Sequence, residues 1–294
     1  MTNSPILNYL KLSAELGKIR ISVPVALTTF TGYILCKGTI DQGIVLPTLG
    51  IFLLASGASA LNQVQEKDMD KKMHRTLRRP IPSGRITASA ACIISAVFFL
   101  AGSLVLGFGV GWLPLVIGLS TFIWYNGIYT YLKRITAFAV VPGSIVGALP
   151  PLVGWTAAGG SLYHPGVLMI AFFFFIGQIP HFWLILLKYG KEYEMAGFPS
   201  ITSIFTSTQI KRLTFTWITA TAVSAMLLPF FGIIQSTWAG WILMALALAL
   251  ILSFSNLIGK RHAELKVRAS FVRINIFYLL LMVLMCVDRL LLVN

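Results

Sequence analysis

Asn62, Glu66 and Asp70 follow one another at intervals of four residues in the stretch Asn62-Gln-Val-Gln-Glu66-Lys-Asp68-Met-Asp70-Lys-Lys-Met-His74-Arg75-Thr76, which runs on to Arg79-Pro80. On a continued helix the three positions drift by only ~80° and share one face. Oxygen ligands in that arrangement suit a hard divalent cation, above all Mg²⁺, which is commonly shared with substrate phosphates. Asp68 falls on the opposite side and joins the set only if the backbone turns or a second ion binds. Lys67, Lys71, Lys72, Arg75, Arg78 and Arg79 surround these acids and suit phosphate oxygens, arginine bidentately. The combination points to Mg²⁺–diphosphate chemistry. The competing reading is a solvated basic loop whose acids only offset its charge. The chain has nine Asp and Glu, and five of them fall in two clusters, 66–70 and 192–194. Acids so scarce and so concentrated favour use over offset.

The second cluster is Lys188-Tyr189-Gly190-Lys191-Glu192-Tyr193-Glu194, closed by Gly197 and Pro199 as a helix end. Glu192 offers a further metal ligand, and Lys188 or Lys191 a phosphate contact. A helix end with an ion pair and interfacial tyrosines is the plainer alternative. Upstream, Gln178-Ile-Pro180-His181-Phe-Trp183 places polar groups and a proline inside an apolar run, where they are costly unless partnered. His181 is either an interhelical hydrogen bonder or a group facing substrate. In 142–155, Gly143 and Gly147 permit close helix approach, and Pro150-Pro151 is expected to break the helix.

The elements that must hold these residues are membrane helices. The chain is 57% hydrophobic and 11% charged, where a soluble domain has about 25% charged residues. Nine runs are long enough to span, at about 21–36, 44–63, 90–108, 112–131, 138–157, 165–187, 213–233, 237–257 and 271–292. None alternates as a barrel strand does. The expected fold is an all-α polytopic bundle, one domain over 1–294. Nine spans put 21 of the 23 Lys and Arg on one face, which the positive-inside rule makes cytoplasmic. The N-terminus is then cytoplasmic, the C-terminus outside, and both acidic clusters cytoplasmic. The net charge of +14 suits this topology and an anionic ligand or lipid surface, not nucleic acid. Cys36, Cys92 and Cys286 show no metal or disulfide spacing and read as packing residues. No cleavable signal peptide is evident.

The stretch from Asn62 to Pro80 resembles the first Asp-rich motif of the UbiA-type intramembrane prenyltransferases, and within them the subgroup that farnesylates protoheme IX (the haem O synthases). Tyr129-Thr-Tyr131-Leu132-Lys133-Arg134, Gly147-Ala-Leu-Pro150-Pro151-Leu-Val-Gly154-Trp155, and Pro180-His181-Phe-Trp183 with Lys191-Glu192-Tyr193 through Pro199 are similar to its later signatures, in the same order. Glu66 and Glu192 stand where that subgroup usually has Asp.

The resemblance implies a nine-helix bundle capped by loops 2–3 and 6–7, and Mg²⁺-dependent farnesyl transfer from farnesyl diphosphate to a vinyl group of haem b. It implies Asn62, Glu66, Asp70 and Glu192 as metal ligands, and Asp70, Arg75, Lys188 and Lys191 as catalytic. Asn62, Asp68, Arg79, His181 and Tyr193 would bind substrate. It implies a bacterial plasma membrane setting, contact with membrane lipid, and haem A synthase or terminal oxidase assembly as partners. Three alternatives stay open: the same fold acting on an aromatic quinone precursor, a membrane transporter, and a purely structural assembly factor. A transporter predicts charges near the midplane of several spans, whereas here the charges gather at one face.

Overall fold

Apolar runs without strand alternation fold here into helices, and helices are the only regular elements among the described residues. The computed structural model describes residues 5–257 and 267–293. Lys260, Arg261 and Lys266, three of the 21 basic residues expected on the cytoplasmic face, lie outside the described residues. In chain order the helices are α1 (Pro5–Leu16), α2 (Ile19–Lys37), α3 (Val45–Gln65), α4 (Ala88–Gly109), α5 (Trp112–Ile123), α6 (Ile145–Ala157), α7 (Pro165–Met195), α8 (Ser207–Met226), α9 (Thr237–Phe254) and α10 (Val267–Val293).

Seven stretches are long and apolar enough to cross a membrane: Ile19–Lys37, Gln42–Gln65, Ala88–Gly109, Ala137–Ala157, Pro165–Met195, Thr237–Phe254 and Val267–Leu292. The two other expected spans are also helical. One is interrupted, because α5 passes into a π-helical turn, Trp124–Tyr129, before the helix ends at Leu132. The other, α8, carries Lys211, Arg212 and five threonines, which lower its apolarity. The chain is thus a multi-pass membrane protein with seven clear spans among the described residues.

Helix ends follow local chemistry. The Thr87 hydroxyl accepts from the Ala90 amide at the start of α4. Pro165 opens α7, where its missing N–H costs nothing. A reciprocal pair, Thr206 and Gln209, caps α8. The start of α9 is capped from another helix: buried Asp288 of α10 accepts from the Gln235 and Ser236 amides at 2.8 and 3.2 Å.

In lipid, helix association rests on close packing rather than on expulsion of water. The α2–α6 contact shows this. A Cβ added to Gly154 would stand 1.8 Å from the Thr29 carbonyl oxygen, and one added to Gly32 would stand 2.1 Å from that of Pro151. The same helix, α6, departs from expectation. Pro150 and Pro151 sit inside α6 without breaking it. The interruption falls upstream, between the short helix Val140–Gly143 and Ile145. Helix α7 runs unbroken through Pro180 to Met195, eight residues past the expected end at 187, so the second acidic cluster lies on its last turns.

Candidate active site

The chain folds the end of α3 so that its polar stripe survives a change of helix. Glu66 leaves helical geometry (φ −105°, ψ 7°), and a short helix, Lys67–Asp70, follows. The i→i+4 bonds nevertheless continue: the Glu66 amide donates to the Asn62 carbonyl at 3.0 Å, and the Asp70 amide to the Glu66 carbonyl at 2.8 Å. Asn62, Glu66 and Asp70 are all buried, and all three line one cavity. The expected shared face holds. Asp68 is exposed and absent from the cavity wall, because it lies on the outer side of that short helix.

Each of the three oxygen-bearing groups is matched by a cation from a different element. Lys18, at the turn into α2, donates to Asn62 Oδ1 at 3.2 Å. Lys133, after the π turn, pairs with Glu66. Arg79 Nη1 reaches both oxygens of Asp70, at 2.8 and 2.7 Å. Burial pushes the Lys18 ammonium down to about 7, with Arg79 adding to the fall and Glu66 opposing it. Burial works most strongly against the Glu66 carboxylate, but Lys133, Lys18 and Asn62 together hold the group below its usual range. Lys18 is also the one non-glycine residue with positive φ (46°) among those described, a conformation that costs a side chain roughly 1–2 kcal/mol.

The π turn shapes the facing wall. A π segment aligns residues five apart, and such insertions are common at functional sites. Here the Thr130 hydroxyl donates to the Tyr125 carbonyl at 2.9 Å and accepts from Asn62 Nδ2 at 3.2 Å. That contact turns Asn62 Oδ1 toward Lys18. The Tyr125 and Tyr129 rings stack at 5.7 Å, and Tyr129 lies 5.7 Å from Phe182 of α7. Gly143 makes room for Tyr129: a Cβ there would meet its ring at 2.4 Å. Ile21, Val140, Ile185 and Leu186 extend the wall as an apolar surface.

The second cluster closes the mouth. Arg75 donates its backbone amide to Glu192 Oε2 at 3.0 Å and its guanidinium to the Tyr193 hydroxyl at 3.2 Å. That guanidinium also lies over the Tyr189 ring at 4.7 Å. Arg75, Arg79 and Tyr193 line the cavity. Glu192 does not; it braces the loop that carries Arg75. Lys188 and Lys191 are exposed and also outside the lining, Lys188 lying over the Tyr189 ring at 4.9 Å. His181 lies deeper on α7, outside the lining, with its ring 4.4 Å from that of Phe271 on α10. The site therefore gathers Asn62, Glu66, Asp70, Arg75, Arg79 and Tyr193 and leaves Asp68, Lys188, Lys191, Glu192 and His181 off the wall. It adds Lys18, Tyr125, Tyr129 and Lys133. Lys18 and Lys133 carried a signal in the sequence, as cations at the ends of spans on the face that bears the acids.

Among the described residues no three His, Cys, Asp or Glu side chains form a metal-binding group. The donor set of Asn62, Glu66 and Asp70 is nonetheless all oxygen, as Mg²⁺ requires, and it needs substrate oxygens to complete a shell.

The UbiA prenyltransferase family profile matches residues 25–284. The chain belongs to this family. Among its relatives is the protoheme IX farnesyltransferase of Oleidesulfovibrio alaskensis, 33% identical over 96% of this chain and 97% of that protein. The protoheme IX farnesyltransferase of Nitratidesulfovibrio vulgaris is 34% identical over 94% of each. Among solved structures, a UbiA homologue from Archaeoglobus fulgidus bound to GPP and Mg²⁺ shares the fold, with a TM-score of 0.69 at 13% identity over 95% of this chain and 99% of that one. A digeranylgeranylglyceryl phosphate synthase also shares it, with a TM-score of 0.74 at 16% identity over 96% and 98%. The UbiA fold thus encloses the buried cavity and the oxygen–cation pairs described above.

Proposed function

We propose that this UbiA-family enzyme transfers a farnesyl group from farnesyl diphosphate to a vinyl group of haem b (protoheme IX), giving haem O. The observation that carries the reading is the matched set in the buried cavity: Asn62, Glu66 and Asp70 on one wall, each held by Lys18, Lys133 or Arg79. The names of relatives matched along nearly the full chain support haem b as acceptor and farnesyl as donor.

Mg²⁺ bound by Asn62, Glu66 and Asp70 would neutralise diphosphate charge as the allylic C–O bond breaks. As substrate enters, Lys18, Lys133 and Arg79 shift from the protein's oxygens to those of the diphosphate, and Arg75 closes over it from the mouth. Stabilising the departing pyrophosphate is the principal contribution of these groups. Lys188 and Lys191 add positive field outside the mouth. Glu192 serves by holding Arg75 and completes the metal shell only if the mouth closes further. Tyr125, Tyr129 and Phe182 offer ring faces to the allylic cation, and the apolar wall keeps bulk water from it. The farnesyl carbon bonds to the terminal vinyl carbon, water supplies the hydroxyl at the inner carbon, and one proton and pyrophosphate leave. His181, beside Phe271, is placed to meet the porphyrin. The setting is a bacterial plasma membrane with the cavity mouth and N-terminus cytoplasmic and the C-terminus outside. Haem A synthase or an oxidase assembly would take the product.

The test is in vitro prenylation with farnesyl diphosphate, Mg²⁺ and haem b, with product mass as readout. Farnesylated, hydroxylated haem is expected. Turnover of hydroxybenzoate or dihydroxynaphthoate in place of haem b would overturn the acceptor, and wild-type turnover by Asp70→Ala would overturn the metal site.

A further inference from the structure

Helix α1 takes no part in the chemistry above, yet it leads directly into Lys18. By angle, Asn8, Lys11 and Glu15 form one polar stripe with Leu12 at its edge, and Leu7, Tyr9, Leu10, Ala14 and Leu16 make the rest of the helix mostly apolar, with Ser13 as the one polar residue among them. Only its C-terminal end docks on the protein. Glu15 accepts from both Arg85 guanidinium ends at 2.7 Å. Leu16 is fully buried beside Ala60 and Ile81, and its carbonyl accepts from Gln63 Nε2 at 2.9 Å. Residues 7–11 are exposed, Tyr9 by 64% and Leu10 by 62%.

The direction of the exposed apolar side follows from Glu15. Its partner Arg85 belongs to the polar connection between α3 and α4, outside the spans on the side of the cavity mouth. The polar stripe that carries Glu15 therefore faces that aqueous side, and the apolar remainder faces the bilayer. Distance keeps the C-terminal end of α1 at the membrane surface. The span α2 begins at Ile19, three residues after Leu16, a reach of at most about 11 Å. Lys11 on the stripe and exposed Arg20 at the start of α2 match anionic headgroups.

The turn between surface and span is the strained one. Lys18 adopts φ 46° and ψ 56°, the Gly17 carbonyl accepts from the Ser22 hydroxyl at 2.8 Å, and the reversal aims Lys18 at Asn62. We propose that α1 is an interfacial anchor lying in the anionic phospholipid headgroup layer beside the cavity mouth, and that this anchorage holds the Gly17–Lys18 turn that positions Lys18. The second half of this proposal rests on the diphosphate reading of the cavity.

The experiment uses the full chain in lipid nanodiscs with or without phosphatidylglycerol. Leu10→Cys and Lys11→Cys are each spin-labelled in a background where Cys36, Cys92 and Cys286 are alanine. The label at 10 should be reached by oxygen and shielded from a water-soluble nickel chelate, more so with phosphatidylglycerol. The label at 11 should be open to the chelate. Leu7→Glu/Leu10→Glu should lift the helix from the lipid and weaken binding of inorganic pyrophosphate with Mg²⁺ about tenfold, the scale of a lost supporting contact, at unchanged melting temperature. Equal chelate access at 10 and 11 overturns the anchor, equal shielding in the two lipids overturns the anionic partner, and unchanged pyrophosphate affinity overturns the positioning of Lys18. Failure of the unmodified protein to bind pyrophosphate would count against the diphosphate reading, and the label depths would still decide the anchor.

Discussion

Asp70 is fully buried with its charge met by a single arginine, so it is a structural ion and a candidate ligand at once. A buried carboxylate of this kind must be compensated in every state of the enzyme. In the structure Arg79 does this; in the proposed complex with diphosphate and a divalent cation the metal would do it, and Arg79 would be free to follow the phosphate. Asp70→Asn keeps the shape and removes the charge. It should lower prenyl transfer about 100-fold or more, as loss of a metal-site group does, and abolish the response to added Mg²⁺ in a titration of rate against metal. Arg79→Ala should act differently: it leaves Asp70 buried and unpaired, and should lower stability by about 3 kcal/mol in the absence of metal, with part of that loss restored by Mg²⁺ in thermal unfolding. At this scale the i, i+4, i+8 spacing made the oxygen wall legible. The cations facing it were visible only as charges to be counted for topology, because nothing in a linear chain shows that Lys18 and Lys133 return to the same cavity from positions 44 and 67 residues away from their partners.

Helix pairs, not single helices, hold that cavity open. α2 must bring Lys18 and Ile21 against the end of α3, and it is fixed in depth by its contact with α6 at Gly32 and Gly154. Gly154→Ala places a methyl group 1.8 Å from the Thr29 carbonyl oxygen, so the two helices must part. The expected cost is about 1–3 kcal/mol, read as a lower melting temperature in detergent, with weaker diphosphate binding because Lys18 moves with α2. Gly240→Ala on α9 is the control. It meets nothing within 4 Å and should stabilise by about 0.5–1 kcal/mol through helix propensity. The Gly-rich character of span 5 announced close approach, but the double proline misdirected the expectation of a break. α6 continues through Pro150 and Pro151, whose carbonyls face α2, that of Pro150 accepting from the Thr29 hydroxyl at 3.0 Å. The π turn was also illegible, since Trp124 to Tyr129 reads as ordinary apolar helix and only the positions of Tyr125 and Thr130 around Asn62 show the inserted residue.

Across the whole molecule, Lys18 and Lys133, two of the cations counted for topology, also stand in the site. Lys18 at the start of the first span, Glu66 at the end of the second, Lys133 at the end of the fourth and Tyr193 at the end of the sixth all meet in one cavity. They can do so only if the intervening spans alternate in direction, so the cavity checks the alternation inferred from Lys and Arg without using the charge rule. The expected count of nine depended on treating 112–131 and 213–233 as spans, and the meeting of Lys133 with Glu66 requires the first of these to cross. The charge rule then assigns the face. Single cysteines in the background free of native cysteine test this by labelling with an impermeant maleimide. Lys72→Cys, in the exposed loop after the oxygen wall, should react only in inverted membrane vesicles. Tyr163→Cys, 91% exposed in the connection between α6 and α7, should react in intact cells. Reaction of both from one side would break the alternation and with it the meeting of Lys133 and Glu66. Reversal of both would keep the fold and cavity but move diphosphate chemistry to the outer face, away from a cytoplasmic supply of farnesyl diphosphate.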